Sequence, residues 1–191
     1  MADDYQTLVK KVIQENEAVL ARVDPKAVDT LIDYIVKAKQ IQLFSMGRCQ
    51  LSVRGFAMRL AHMGFPTHVV YDTVTPAIGP GDLLIGHCSA NNVELNVIQQ
   101  AKKAGAKIVI ITPCLDTPQA KLADFLVELP GQIFGAANEV PSIQPMASLL
   151  EQALLLFTDI VVMMLIEKTG VSMKKMQERH TNLEGLPHEF A

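Results

Sequence analysis

The chain has 191 residues, about half of them apolar, and a formal net charge of −3. That length suits one domain with a sizeable core. The weakly acidic balance, with no basic run, argues against nucleic acid as a partner.

In chain order, residues 4–21 and 25–39 read as two amphipathic helices. Asp24 is placed to cap the second, and Pro25 sits in its first turn. The N-terminal stretch is acidic and lacks the apolar centre of a signal peptide. The pattern then changes. Short apolar runs rich in β-branched residues occur at Ile41–Phe44, His68–Tyr71, Leu83–Gly86, Ile108–Thr112 and Phe125–Leu129. Helical stretches at Leu51–His62, Val93–Ala104 and Pro118–Ala123 lie between them. Strand alternating with helix predicts an α/β fold, a three-layer αβα sandwich around a five-stranded parallel sheet. Gly64, Gly81 and Gly105 fall in the expected helix-to-strand connections, where a left-handed residue is useful. No internal linker or repeat divides residues 1–191, and the core is expected over about residues 30–172.

The run Met146–Ile166 is almost wholly apolar, and only Glu151 and Asp159 carry charge in it. Each would cost about 2.5–3.5 kcal/mol at a bilayer centre, so the run reads as a buried helix and not as a membrane span. Glu151 follows a proline-containing loop and falls in the first turns of that helix. There it either accepts backbone N–H bonds or serves as a general base. Met146, Leu149, Leu150, Leu154 and Leu155 are expected to desolvate it. Asp159 is expected to pair with an arginine or lysine.

Ligands of open parallel sheets bind beyond the carboxyl ends of the strands. Two loops fall there: Ser45-Met46-Gly47-Arg48-Cys49-Gln50 and His87-Cys88-Ser89-Ala90-Asn91-Asn92. Both run into helix N-termini, which attract anions, and Arg48 adds a fixed charge. The expected ligand is an acidic small molecule such as a sugar phosphate, unless Arg48 merely pairs with a surface carboxylate. Cys49, Cys88 and Cys114 form no CxxC and match no zinc spacing, so no metal site is expected. Reduced thiols without a secretory signal suggest a cytoplasmic protein.

Three segments, Phe56–Gly64, Ser142–Gln152 and Arg179–Glu184, carry a resemblance to the 6-phospho-3-hexuloisomerase family of sugar isomerase (SIS) domain proteins. With Gly81–Ile85, the resemblance covers nearly the whole chain. It implies a flavodoxin-like SIS fold with helical N- and C-terminal extensions, and interconversion of 3-hexulose 6-phosphate and fructose 6-phosphate. It further implies no redox cofactor and a homotetramer. Glu151 would be the base that shuttles a proton through a cis-enediolate. His62 or His180 would open the ring or relay the proton, His180 from a neighbouring subunit. Gly47, Arg48, Cys49, Arg59, His87, Cys88, Ser89, Ala90, Asn91 and Asn92 would contact substrate. The loops depart from the family pattern. The first usually reads Gly-Ala-Gly-Arg-Ser-Gly and the second Ser-Gly-Ser-Gly-Glu-Thr, so Cys49, Cys88, Ala90 and Val93 stand where hydroxyls would cradle phosphate. The alternative is a repurposed SIS protein that binds another carbohydrate derivative without turnover. The apolar surface at Val161–Ile166 and the N-terminal helix are the expected subunit contacts.

Overall fold

The computed structural model describes residues 3–88 and 92–184, with Asn92, Val93 and Glu184 described by backbone alone. Helix α1 (Tyr5–Leu20) starts at Asp4, whose carboxylate accepts the Thr7 N–H at 2.8 Å. Helix α2 (Pro25–Lys37) starts at Asp24, which accepts the Lys26 N–H at 3.0 Å, with Pro25 in the first turn where no N–H is needed. The chain then runs β1 (Ile41–Phe44), α3 (Cys49–Met63), β2 (Thr67–Val69), β3 (Leu83–His87), α4 (Asn92–Ala104), β4 (Lys107–Thr112), α5 (Pro118–Leu122), β5 (Phe125–Glu128), α6 (Ser148–Thr169) and α7 (Met173–Glu178).

The five strands are all parallel, in the order β2-β1-β3-β4-β5. Each predicted strand is present. β2 stops at Val69, two residues early, and Tyr71 takes a left-handed φ of 75° just beyond it. No helix joins β2 to β3. Gly81 is left-handed as expected, but it ends an irregular loop and does not follow a helix.

The sheet separates two apolar layers. Leu43, Ile85, Val109 and Val127 face α2, α3 and α6, while Phe44, Leu84, Ile108 and Ile110 face α4. Burial of each such side chain is worth about 1.5–3 kcal/mol. The buried set reaches from Val19 to Met176, a wider span than residues 30–172. The N- and C-terminal helices therefore belong to the same core as the sheet.

Helix α6 is the one described helix long and apolar enough to cross a membrane by length and composition. Its Leu149, Ala153, Leu154, Phe157, Val161 and Leu165 are buried in the protein core. Its outward stripe is Leu155, Leu156, Ile160 and Met163; of the Val161–Ile166 surface expected from sequence, Met163 is exposed while Val161, Val162 and Leu165 are buried. Asp159 lies exposed on that side and has no ion pair among the described residues, contrary to expectation.

Gly131, just past β5, lets the chain pass against the first turn of α6. A Cβ there would lie 2.6 Å from the Leu150 Cα. Gly131→Ala must push the helix away, an overpacking cost of about 1–3 kcal/mol. A fall in Tm of about 2–10 °C is expected by calorimetry; an unchanged Tm would contradict this packing.

Candidate active site

β1 and β3 are neighbours, but the chain leaves them in opposite directions, first to β2 and then to β4. This is the switch point of the sheet, where the loops at the carboxyl ends diverge and leave a crevice. The β1–α3 loop turns through Gly47, left-handed at φ 58°. Gln50, where the family pattern has glycine, folds back so that its Oε1 accepts the Ser45 N–H at 2.7 Å. One amide that a glycine would leave for a ligand is thereby used inside the loop.

Glu151 projects from the first turn of α6 towards this loop and forms an ion pair with Arg48. The Ser52 hydroxyl donates to the Glu151 carbonyl at 2.9 Å and joins the first turns of α3 and α6. Expected desolvation by Met146 and Leu155 is corrected: both are exposed, at 78% and 43%, and the partner of Glu151 is a guanidinium. Of the two sequence readings of Arg48, pairing with a carboxylate is observed, and that carboxylate is Glu151 itself.

The helix N-termini here differ from those elsewhere. α1, α2, α5 and α7 are capped by the side chains of Asp4, Asp24, Thr117 and Ser172. No side-chain oxygen caps α3 or α6. Their dipoles favour an anionic group, although the Gln50, Leu51 and Ser148 N–H groups already donate to the carbonyls of Gly47, Arg48 and Pro145.

The segment before α6 is tied to α1. Glu15 accepts from the Ser142 hydroxyl at 2.7 Å, the Ile143 N–H at 2.8 Å and the Gln144 amide at 2.9 Å. Burial opposes its charge, but these three bonds outweigh it and hold the Glu15 carboxyl below its usual range. Gln152 accepts from Asn16 at 3.0 Å and donates to Gln144 at 2.8 Å. Most polar members of the Ser142–Gln152 motif are thus anchors, and Glu151 is the one turned to the crevice. Nothing in the sequence pattern singled out Glu15.

At the end of β3, His87 and Cys88 are buried. Glu94, in the first turn of α4, is 2% exposed and was not anticipated. Burial first, then the charges of Glu151 and Glu94, push the Cys49 thiol up to about 12. Burial and Glu94 raise Cys88 well above the ordinary thiol range. Both are protonated, weakly donating groups at neutral pH. Iodoacetamide at pH 8 should leave them unmodified in the native protein and label them in urea, read by peptide mass; rapid native labelling of Cys49 would contradict this.

Ser89, Ala90, Asn91 and the side chain of Asn92 lie outside the described residues. Gly47, Arg48, Cys49, His87, Cys88 and Glu151 gather at the switch point. Arg59, His62 and His180 do not join them within one chain. His62 follows Ser52 by ten helical residues, about 15 Å along α3, and Arg59 is exposed on the same helix. His180 instead packs on His62 of its own chain, with ring centroids 5.0 Å apart. Beside them Arg179 donates to the carbonyls of His62 and Met63 at 3.2 and 3.1 Å and caps the end of α3. Its guanidinium covers Gly64, where a Cβ would lie 2.8 Å from Cζ. Among the described residues no group of three or more His, Cys, Asp or Glu side chains is placed to hold a metal ion.

This five-stranded parallel sheet, covered by helices on both faces and carrying a carboxylate–arginine pair at its switch point, is an α/β fold of the flavodoxin-like class. No family profile matches the chain. The chain is 36% identical over 180 residues to a Bacillus subtilis 3-hexulose-6-phosphate isomerase, covering 92% of this chain and 97% of that one. It is 37% identical over 187 residues to a Mycobacterium gastri protein of the same name, covering 96% and 94%. A solved Methanococcus jannaschii structure, said to infer a molecular function of 3-hexulose-6-phosphate isomerase, superposes with a TM-score of 0.80 at 29% identity, over 92% of this chain and 98% of that one. The chain belongs to the 3-hexulose-6-phosphate isomerase family.

Proposed function

We propose that the protein interconverts 3-hexulose 6-phosphate and fructose 6-phosphate, with Glu151 as the base and a cis-enediolate between them. The observation that carries the reading is the Arg48–Glu151 pair at the switch point, where a carboxylate meets a fixed positive charge. Moving the carbonyl from C3 to C2 removes the C2 proton and delivers one to C3. The hydroxyl proton on O2 is lost and one is gained on O3, so the sugar keeps its composition. A single carboxylate can serve both carbons from one face. Bound substrate would draw Arg48 onto the oxygens that become anionic, freeing Glu151 and stabilising the enediolate. The phosphate then falls to the helix N-termini and loop amides, a role that the thiols of Cys49 and Cys88 fill poorly.

A proton carried by a carboxylate exchanges with solvent during part of the turnovers. Fructose 6-phosphate formed in D2O is expected to carry deuterium at C3, detected by NMR. Complete retention of the substrate hydrogen would indicate a hydride shift and overturn the enediolate.

In this reading the protein is a homotetramer of the cytoplasm, and the histidine that opens the ring belongs to the His62–His180 pair of a neighbouring subunit. The apolar stripe of α6 and a groove of about 630 Å³ between it and α1, lined by Val12, Ile13, Leu20, Leu155 and Leu156, support packing between copies. Light scattering is expected to give four times the 20.9 kDa chain mass; a monomer would remove the cross-subunit histidine. The use of the Ser45 amide by Gln50 favours a second reading, a carbohydrate-binding protein without turnover. Measurable isomerase rates would exclude it.

A further inference from the structure

His87 holds a polar atom that no described residue uses. It is the last residue of β3, it is 2% exposed, and its Nε2 has no hydrogen-bond partner among the described residues. Strand alternation puts it on the same face as Leu83 and Ile85, beneath α3 and α6. Its neighbour Ser45, which follows β1, leads directly into the Gly47–Arg48 turn.

Ser45 favours one tautomer. Its Oγ lies 3.0 Å from the His87 carbonyl oxygen, which can only accept, so the hydroxyl proton goes there. The same Oγ lies 3.2 Å from the His87 Nδ1. Both contacts are hydrogen bonds only when Nδ1 carries the ring proton and donates to Oγ, so this tautomer is favoured. The Nε2 of this neutral ring is then a bare lone pair. Burial keeps the ring uncharged at neutral pH by pulling its pKa down to about 4. A buried acceptor of this kind is costly to leave unpaired and discriminates strongly for a ligand that brings the missing donor.

We infer that His87 Nε2 accepts a hydrogen bond from a hydroxyl of the bound sugar and selects a ligand bearing that hydroxyl over its deoxy counterpart. The inference rests on the sugar-phosphate reading of the site and adds a specificity residue to it. The donor in this inference is one of the hydroxyls that stay out of the proton transfer, those on C1, C4 and C5.

The test is calorimetric binding of fructose 6-phosphate and its 1-, 4- and 5-deoxy analogues to three proteins: wild type, His87→Asn and His87→Gln. Asparagine keeps a polar group near Nδ1 for Ser45 but has none at the Nε2 position; the longer glutamine side chain brings its carbonyl oxygen there. Wild type is expected to bind one analogue about 10- to 100-fold more weakly than the parent. His87→Asn should bind that analogue and the parent equally, and His87→Gln should recover part of the difference. Wild type that binds fructose 6-phosphate but discriminates against no analogue overturns the inference alone. So does His87→Asn with its discrimination intact, or, if that variant does not fold, His87→Gln with discrimination undiminished from wild type. Wild type that binds no fructose 6-phosphate overturns the sugar-phosphate reading, and this role for His87 with it.

Discussion

Glu151→Gln is expected to lower kcat for 3-hexulose 6-phosphate by about 10²–10⁴-fold, the usual contribution of a positioned general base. KM should stay within a few-fold. Glutamine has the same shape but accepts no proton at neutral pH. The helix start that presents residue 151 is held by bonds the substitution leaves alone. Ser52 binds the backbone carbonyl of residue 151, Glu15 holds residues 142–144, and Asn16 binds Gln152. The lost ion pair involves a half-exposed Arg48, 54% accessible, and such pairs contribute about 0–1 kcal/mol. Tm should therefore move little. A kcat within tenfold of wild type, in a folded variant, would remove Glu151 as the base.

Arg48→Ala is expected to lower kcat/KM by about 10²–10³-fold, the size of effect found when one donor to a developing oxyanion is removed. In the proposed mechanism, a guanidinium in contact with Glu151 lies close to the carbons between which the proton moves. Its charge is therefore best placed for the enediolate. Arg48→Lys should recover part of the loss, because a lysine keeps the charge without the planar fork. Unchanged kinetics in Arg48→Ala would mean that Arg48 only neutralises Glu151 in the empty site. The two variants together separate these roles, since the first removes the proposed proton acceptor and the second its electrostatic partner.

The strands were legible from sequence because parallel strands buried on both faces are short, β-branched and punctuated by helices. Ile41–Phe44 was found to the residue. The end of β2 was not, because the left-handed turn at Tyr71 is a tertiary outcome in a residue that seldom adopts it. Glu151 stood out because a charge in an apolar helix is rare. Its environment did not: Met146 precedes the helix in a left-handed conformation and is exposed, and along the helix Leu155 faces outward while Leu150 and Leu154 enter the core. The partners of the site came from far along the chain. Arg48 is 103 residues from Glu151, and Glu15 is 127 from Ser142. No local pattern encodes such pairings. The Phe56–Gly64 and Arg179–Glu184 motifs carried the resemblance, yet within one chain they meet each other, through Arg179 and His180 on the end of α3. Cys49 and Cys88 were recognised as departures at the strand ends; that burial and Glu94 keep them protonated required the fold.

The most direct test is turnover by the wild-type protein. Purified protein is mixed with 3-hexulose 6-phosphate, and fructose 6-phosphate is followed in a coupled assay. Steady formation at about 1–10³ s⁻¹ is expected, the range of ordinary enzymes. A folded protein that binds the sugar phosphate but forms no fructose 6-phosphate would contradict the proposed function.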